Sequence, residues 1–302
     1  MHMIQNVQRV SLQLSVPEAG GLTSTLSKSR TTVKTSSKVF QLKHSADYIK
    51  ELFLVAIVFL PFVAWTDYPI MSHRYAADPS ALEFNGRLYV YCSHDEDNYT
   101  NSYTMKSIVC FSTEDLKNWT DHGIVFQVPR DASWASLAWA PSVIYQNGLF
   151  YLFFANGASG IGVATSSIPT GPFKDARGGA LITSSTPGAS TPTQWYFDPC
   201  VFVDLDGQAY LYFGGQYPTN SRVIKLASNL LQTSGSATPL DTPDFFEAIH
   251  INRRDNVYYL TYCTRPEAGM VIACVTSTNP VSGLSGKHTV LPNPPDNLWN
   301  NN

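Results

Sequence analysis

Charge is scarce in this chain: only 14% of its 302 residues are Asp, Glu, Lys or Arg, and beyond residue 50 there are 13 basic residues against 21 acidic ones. A body of that balance offers no surface that would track a polyanion, which argues against nucleic acid as a partner. The five cysteines, Cys92, Cys110, Cys200, Cys263 and Cys274, contain no CxxC pair, so neither a zinc motif nor a redox motif is suggested. Most of them sit in alternating apolar runs and are expected in strand cores, with one disulfide, Cys92 to Cys110 or Cys263 to Cys274, as the alternative. No long amphipathic helical pattern interrupts the chain after residue 66, which disfavours an alternating α/β fold.

Residues 1–65 form an atypical N-terminal extension. The first 50 residues carry seven Lys or Arg against Glu18 and Asp47, and residues 8–50 are rich in Ser, Thr and Lys. The apolar run Leu52–Trp65 has 14 residues, short for a bilayer span and the right length for the hydrophobic region of a secretion signal. Its internal position suggests a start upstream of the true one; a buried strand and a membrane anchor are the other readings. The sequons at Asn98 and Asn118 favour export. The expectation is a secreted protein, without stable membrane association, whose residues 66–302 form the functional domain.

What the chain does have is aromatic side chains and hairpins. It holds 16 Tyr, 16 Phe and 6 Trp, which suits a protein that grips the apolar faces of a neutral, polyhydroxylated ligand. Four segments align by eye: DPSALEFNGRLYVYCSHD from Asp78, APSVIYQNGLFYLFFANG from Ala140, DPCVFVDLDGQAYLYFGG from Asp198 and EAIHINRRDNVYYLTYCT from Glu247. Each gives a short strand, a turn (Asn85-Gly86, Asn147-Gly148, Asp206-Gly207, Asp255-Asn256) and a second, aromatic-rich strand. Such dipeptides supply the backbone geometry of a type I′ hairpin. A third strand follows each hairpin, from Ser107, Ile161, Arg222 and Val271. The repeats begin 62, 58 and 49 residues apart, close to the length of a propeller blade. The fold expected is an all-β propeller.

In a propeller, the residue that opens the first strand of every blade lies at the same mouth of the central channel. Asp78, Asp198 and Glu247 therefore face one cavity, with Ala140 at the corresponding place in the second repeat. Glycosidic cleavage needs one acid to protonate the departing oxygen and one carboxylate to activate water or attack the sugar. A third carboxylate can raise the pKa of the acid by like-charge repulsion.

The runs RYAADPSAL, WAPSVIYQNGLFYLFFANG, YFDPCVFVDLDGQAYLYFGG and DFFEAIHINRRDNVYYLTY together resemble glycoside hydrolase family 43, over roughly residues 66 to 285. The resemblance implies a five-bladed β-propeller acting on β-xylosides, α-L-arabinofuranosides and arabinans with inversion. It makes Asp78 the general base, Glu247 the general acid and Asp198 the carboxylate that tunes and orients the acid. His94 and Asp95, in a loop of similar type, and the rings of Trp139 and Phe197 are the candidate substrate-binding residues. A xylan- or arabinan-derived oligosaccharide is the expected partner; no cofactor is required, and a structural calcium is compatible. The chain departs from the pattern at its C-terminal end, where GKHTVLPNPPDNLWNN offers no fifth hairpin and His288 does not match the histidine motif of the family. The fifth blade is thus expected to be incomplete, with residues 1–65 as one means of closing it and self-association through an exposed edge as another. A noncatalytic carbohydrate-binding propeller, or an inactive truncated member, is the competing function.

Overall fold

The computed structural model describes residues 70–96, 103–192 and 194–292. Residues 1–65, Asn98 and the last ten residues, on which several of these expectations fall, lie outside the described residues. Four antiparallel four-stranded sheets follow one another along the chain. Blade one contains β1 (Ala77–Phe84), β2 (Arg87–His94), β3 (Ser107–Thr113) and β4 (Thr120–Gln127). Blade two contains β5 (Trp139–Gln146), β6 (Leu149–Ala155), β7 (Ile161–Ser166) and β8 (Lys174–Asp175). Blade three contains β9 (Cys200–Val203), β10 (Ala209–Phe213), β11 (Arg222–Leu226) and β12 (Thr233–Pro239). Blade four contains β13 (Phe245–Arg254), β14 (Val257–Thr264), β15 (Ile272–Ser277) and β16 (Ser285–Leu291). Each sheet has its strands in sequence order, the meander of a propeller blade.

Two expectations need refinement. Every blade has a fourth strand that the three-strand repeat did not anticipate, and His288 lies in β16, the outermost strand of blade four, paired with Cys274. The described residues supply four blades of the propeller, and a fifth is not among them. The turns also differ from one another. Asn85-Gly86 and Asn147-Gly148 have both residues at positive φ, as a type I′ turn requires. Between β9 and β10, by contrast, Val203 pairs with Ala209 across a longer loop in which only Gly207 is left-handed, because Asp204 and Gln208 close that loop through their backbones.

Three apolar cores occupy the three seams between consecutive blades. Tyr91, Ile108 and Phe126 of blade one pack with Phe150, Leu152 and Phe154 of blade two. Phe153 and Val163 of blade two meet Leu211, Phe213 and Ile224 of blade three. Tyr212 and Val223 meet Phe245, Leu260 and Tyr262 across the third seam. Burial of each such ring contributes roughly 1.5–3 kcal/mol, so the seams, not the exposed outer strands, carry the fold. All five cysteines are buried and free. Cys110 pairs with Tyr91, which puts Cys92 on the opposite face of the sheet, and Cys274 faces Thr261, diagonal to Cys263. Neither candidate disulfide has its sulfurs directly opposed.

The seams are also latched by polar groups at one repeated position on each innermost strand. Ser80 Oγ accepts the Val143 N–H at 3.1 Å, and Ser142 Oγ accepts the Val201 N–H at 3.0 Å. Cys200, the next equivalent residue, takes the Ile251 N–H on its sulfur.

Candidate functional site

A β-bulge at the start of the innermost strand builds the mouth of the channel. Register shifts fall between Ala77 and Ser80, between Trp139 and Ser142, and between Glu247 and His250. Within each bulge one residue has a left-handed backbone: Asp78 at φ 52°, Ala140 at φ 42° and Ala248 at φ 59°, with Asp198 at φ 49° at the corresponding place in blade three. Asp tolerates this region better than most residues, but Ala does not. Two alanines held there show that the bulge is imposed by the packing of the blade and does not originate in local preference. Bulges of this kind re-aim side chains next to functional sites.

This frame corrects the alignment read from the sequence. The residue equivalent to Asp78, Ala140 and Asp198 is Ala248, not Glu247. Glu247 instead matches Ala77, Trp139 and Phe197, the residues that immediately precede the left-handed position. The hairpin turns carry the same information: Asn85, Asn147 and Asp255 each stand seven positions after Asp78, Ala140 and Ala248. Two rows therefore circle the mouth. One contains Asp78 and Asp198; the other contains Trp139, Phe197 and Glu247.

The carboxylates sense one another. Burial raises the pKa of Asp198 well above the ordinary carboxylate range, and the negative charges of Glu247 and then Asp78 push it further, against one backbone hydrogen bond from the Ala248 N–H at 3.1 Å. Asp78 is also raised by burial, but the Ser93 hydroxyl, donating to its Oδ2 at 2.7 Å, and the Ala140 N–H favour its ionised form. Glu247 is buried. Cys263, paired with it across β13 and β14, has its thiol pushed up to about 12 by burial, then by Glu247 and Asp198.

Of the remaining predicted residues, Trp139 and Phe197 stand in the second row and Asp95 feels the charge of Asp78, whereas His94 has its contact with β3. Asp95 follows the end of β2 and is half-buried; burial and then the charge of Asp78 raise its pKa. The neighbouring His94 is tied to β3 by a 3.1 Å contact between its Nδ1 and Ser107 Oγ. The Trp139 ring stands edge-on to Tyr103 at 6.0 Å between centroids, and its indole Nε1 is buried with no hydrogen-bond partner among the described residues. Phe197 is buried, edge-on to Trp195 at 5.3 Å, in space left by Gly215. Sequence reasoning missed Ser93 and Cys263. The first sits in the run CSHD at the end of β2, and the second reads from sequence only as a core or disulfide residue. Among the described residues no group of three or more His, Cys, Asp or Glu side chains could hold a metal ion. Nor is any helix among them long and apolar enough to cross a membrane.

Comparison with known proteins agrees with this architecture. The family model "Glycosyl hydrolases family 43" matches residues 66–289. The chain is 39% identical over 265 residues to an arabinoxylan arabinofuranohydrolase of Paenibacillus polymyxa, a match covering 75% of this chain and 41% of that protein. It is 36% identical over 266 residues to the arabinoxylan arabinofuranohydrolase of Bacillus subtilis (strain 168), covering 75% and 52% respectively. The chain thus spans about half the length of these curated relatives. Among solved structures, an α-L-arabinofuranosidase from Clostridium thermocellum ATCC 27405 superposes with a TM-score of 0.71 at 50% identity, covering 78% of this chain and 80% of that one.

Proposed function

We propose, from the premise that this chain belongs to glycosyl hydrolases family 43, that it hydrolyses terminal pentosyl linkages of hemicellulose with inversion at the anomeric carbon. The observation that carries the reading is the convergence of Asp198 with both Glu247 and Asp78 at one rim. Asp78 is the general base: it takes a proton from a water molecule whose oxygen attacks the anomeric carbon. Glu247 is the general acid: its proton passes to the glycosidic oxygen as the C–O bond breaks. Asp198 and Glu247 together disfavour a second negative charge, so that the pair keeps a proton available for transfer. Trp139 and Phe197 wall the sugar, and His94 and Asp95 reach it from the end of β2.

The α-L-arabinofuranosyl group is the first substrate proposed, since that is the activity named for both curated relatives and for the superposed structure. The β-D-xylosyl group is the second. Turnover of aryl α-L-arabinofuranoside and aryl β-xyloside, with the first-formed anomer followed by proton NMR, tests the reading. Inverted product supports it, and retained configuration overturns the roles of Asp78 and Glu247. A folded protein that binds pentoses but cleaves neither glycoside across acidic to neutral pH would make it a noncatalytic carbohydrate-binding propeller.

A further inference from the structure

Asp78 and Asp198 occupy the same place in blades one and three, yet their surroundings differ by one side chain. Asp198 receives the Ala248 N–H directly. Asp78 likewise feels the Ala140 N–H, but a buried hydroxyl is added: Ser93 Oγ lies 2.7 Å from Asp78 Oδ2 and accepts the Ala140 N–H at 2.8 Å. Because the amide can only donate, the single proton of the hydroxyl is committed to the carboxylate. Ser93 has no exposed surface, so water cannot take over that donation.

The molecule contains its own control for what the blade requires at this position. Ser93 pairs with Ala77, the residue before the left-handed Asp78. The corresponding partner of Trp139 is Ala155, that of Glu247 is Cys263, and Phe197 O receives the N–H of Gly214. Serine, alanine, glycine and cysteine thus stand at one structural position. Blades two and three form without any polar side chain there, so packing does not demand a hydroxyl.

We infer that Ser93 is the positioning residue of Asp78, its hydroxyl clamped between the Asp78 carboxylate and the Ala140 amide so that the carboxylate is fixed in orientation and locked to the adjoining blade. The inference rests on the proposed role of Asp78 as base. A base must be ionised at working pH, and a hydrogen bond donated to a buried carboxylate favours that form. Donation from Ser93 opposes the rise that burial causes in Asp78; Asp198 has no such hydroxyl, and burial with the charges of Glu247 and Asp78 raises it well above the ordinary range. Ser93 thus gives one of two equivalent carboxylates a donor that the other lacks.

The test uses the full chain and its Ser93→Ala, Ser93→Thr and Asp78→Asn variants. Two quantities are read: the titration of Asp78 by carboxyl carbon-13 NMR, which needs no turnover, and the pH profile of kcat/KM. Ser93→Ala should fold, since Ala155 already fills the equivalent place. Its Asp78 should titrate about one pH unit higher, carrying the acidic limb of kcat/KM with it and lowering kcat more than it raises KM. Ser93→Thr, which keeps the hydroxyl, should restore the titration. Should Ser93→Ala not fold, Ser93→Cys, which copies blade four at Cys263 and is a weaker donor, is read on the same two measurements with an upward shift again expected. An unmoved Asp78 titration in the folded variant overturns the inference while leaving the base assignment standing, provided that Asp78→Asn abolishes turnover. Turnover retained in Asp78→Asn overturns the base assignment, and the positioning role with it.

Discussion

The Asp198 carboxylate accepts the backbone N–H of Ala248, the residue that follows Glu247, at 3.1 Å. The bond ties the carboxylate of one blade to the segment that presents the buried acid of the next, so the geometry of Glu247 depends on Asp198 as well as on its own strand. This one amide stands against burial and two like charges, and burial with those charges prevails.

That imbalance predicts opposite effects on stability and activity. The folded-state pKa of Asp198 is raised, so the protonated form is the one the fold favours. Its contribution to stability is intact below the ordinary carboxylate value of about 4 and is lost as pH rises through the folded value. Asp198→Asn, whose amide oxygen can still accept the Ala248 N–H, should therefore raise the melting temperature at pH 7, with the gain shrinking as pH falls toward 4. Its turnover should fall and its pH profile should change shape. Thermal melts across pH 4–8 check the sign, and a variant destabilised more at pH 7 than at pH 4 would contradict it.

Asp78→Asn and Glu247→Gln should differ in their dependence on leaving group. Loss of the base should cost about 10²–10⁴-fold in kcat with every substrate, while pentose binding survives. Loss of the acid should be severe for alkyl glycosides and mild for an activated phenolate, which departs without a proton. A series of aryl glycosides of graded phenol pKa separates the two: the slope against leaving-group pKa should steepen only for Glu247→Gln.

Much of this arrangement was legible in the sequence because it depends on local chemistry. The dipeptides Asn85-Gly86 and Asn147-Gly148 marked hairpins, and alternation between them marked strands. The register of Glu247 was misread for a physical reason: DP, AP and DP mark the left-handed position in three blades, but blade four has Ala248-Ile249 there, and an isolated acid drew the alignment one residue early. The fourth strand of each blade escaped notice because outer strands such as β12 and β16 are largely exposed and carry little apolar alternation. Ser93 was invisible because a hydroxyl beside a carboxylate is a long-range relationship, fixed only once β2 lies against β1.

The latches between blades should be measurable apart from catalysis. Ser142 Oγ holds the buried Val201 N–H at 3.0 Å. Ser142→Ala leaves that amide without its acceptor and should destabilise the fold by about 1–3 kcal/mol. Ser142→Cys should recover part of the loss, because Cys200 fills the same position one blade later and accepts the Ile251 N–H on sulfur. Urea unfolding of the two variants gives the comparison, and equal losses would show that packing at Ser142, not its acceptor, matters.

The five free cysteines lie in the buried interior, and burial raises every one of their thiols. A thiolate is the reactive form. Native protein at pH 7–8 should therefore resist labelling by an aromatic disulfide reagent over minutes and release five equivalents on unfolding in denaturant. The melting temperature should be unchanged by reductant. A fast-reacting equivalent in the native state would contradict the described packing.

Gly215 offers the sharpest test of the wall beside Asp198. A Cβ built there falls 1.9 Å from Phe197 Cε1 and 2.5 Å from its Cζ, far inside contact distance, and the ring is already hemmed in by Trp195. Gly215→Ala must push Phe197 aside, and Phe197 immediately precedes Asp198 in the chain. The expected cost is about 1–3 kcal/mol from overpacking, together with a higher KM as the sugar-facing wall shifts. Removing the obstructing ring should reverse the strain: in Gly215→Ala/Phe197→Leu the melting temperature should recover beyond the sum of the single changes, while KM stays high because the ring itself is gone. A double-mutant cycle on stability reads the coupling directly. Additive effects would mean that Gly215 and Phe197 do not share this space, and a KM restored in the double variant would remove Phe197 from the substrate wall.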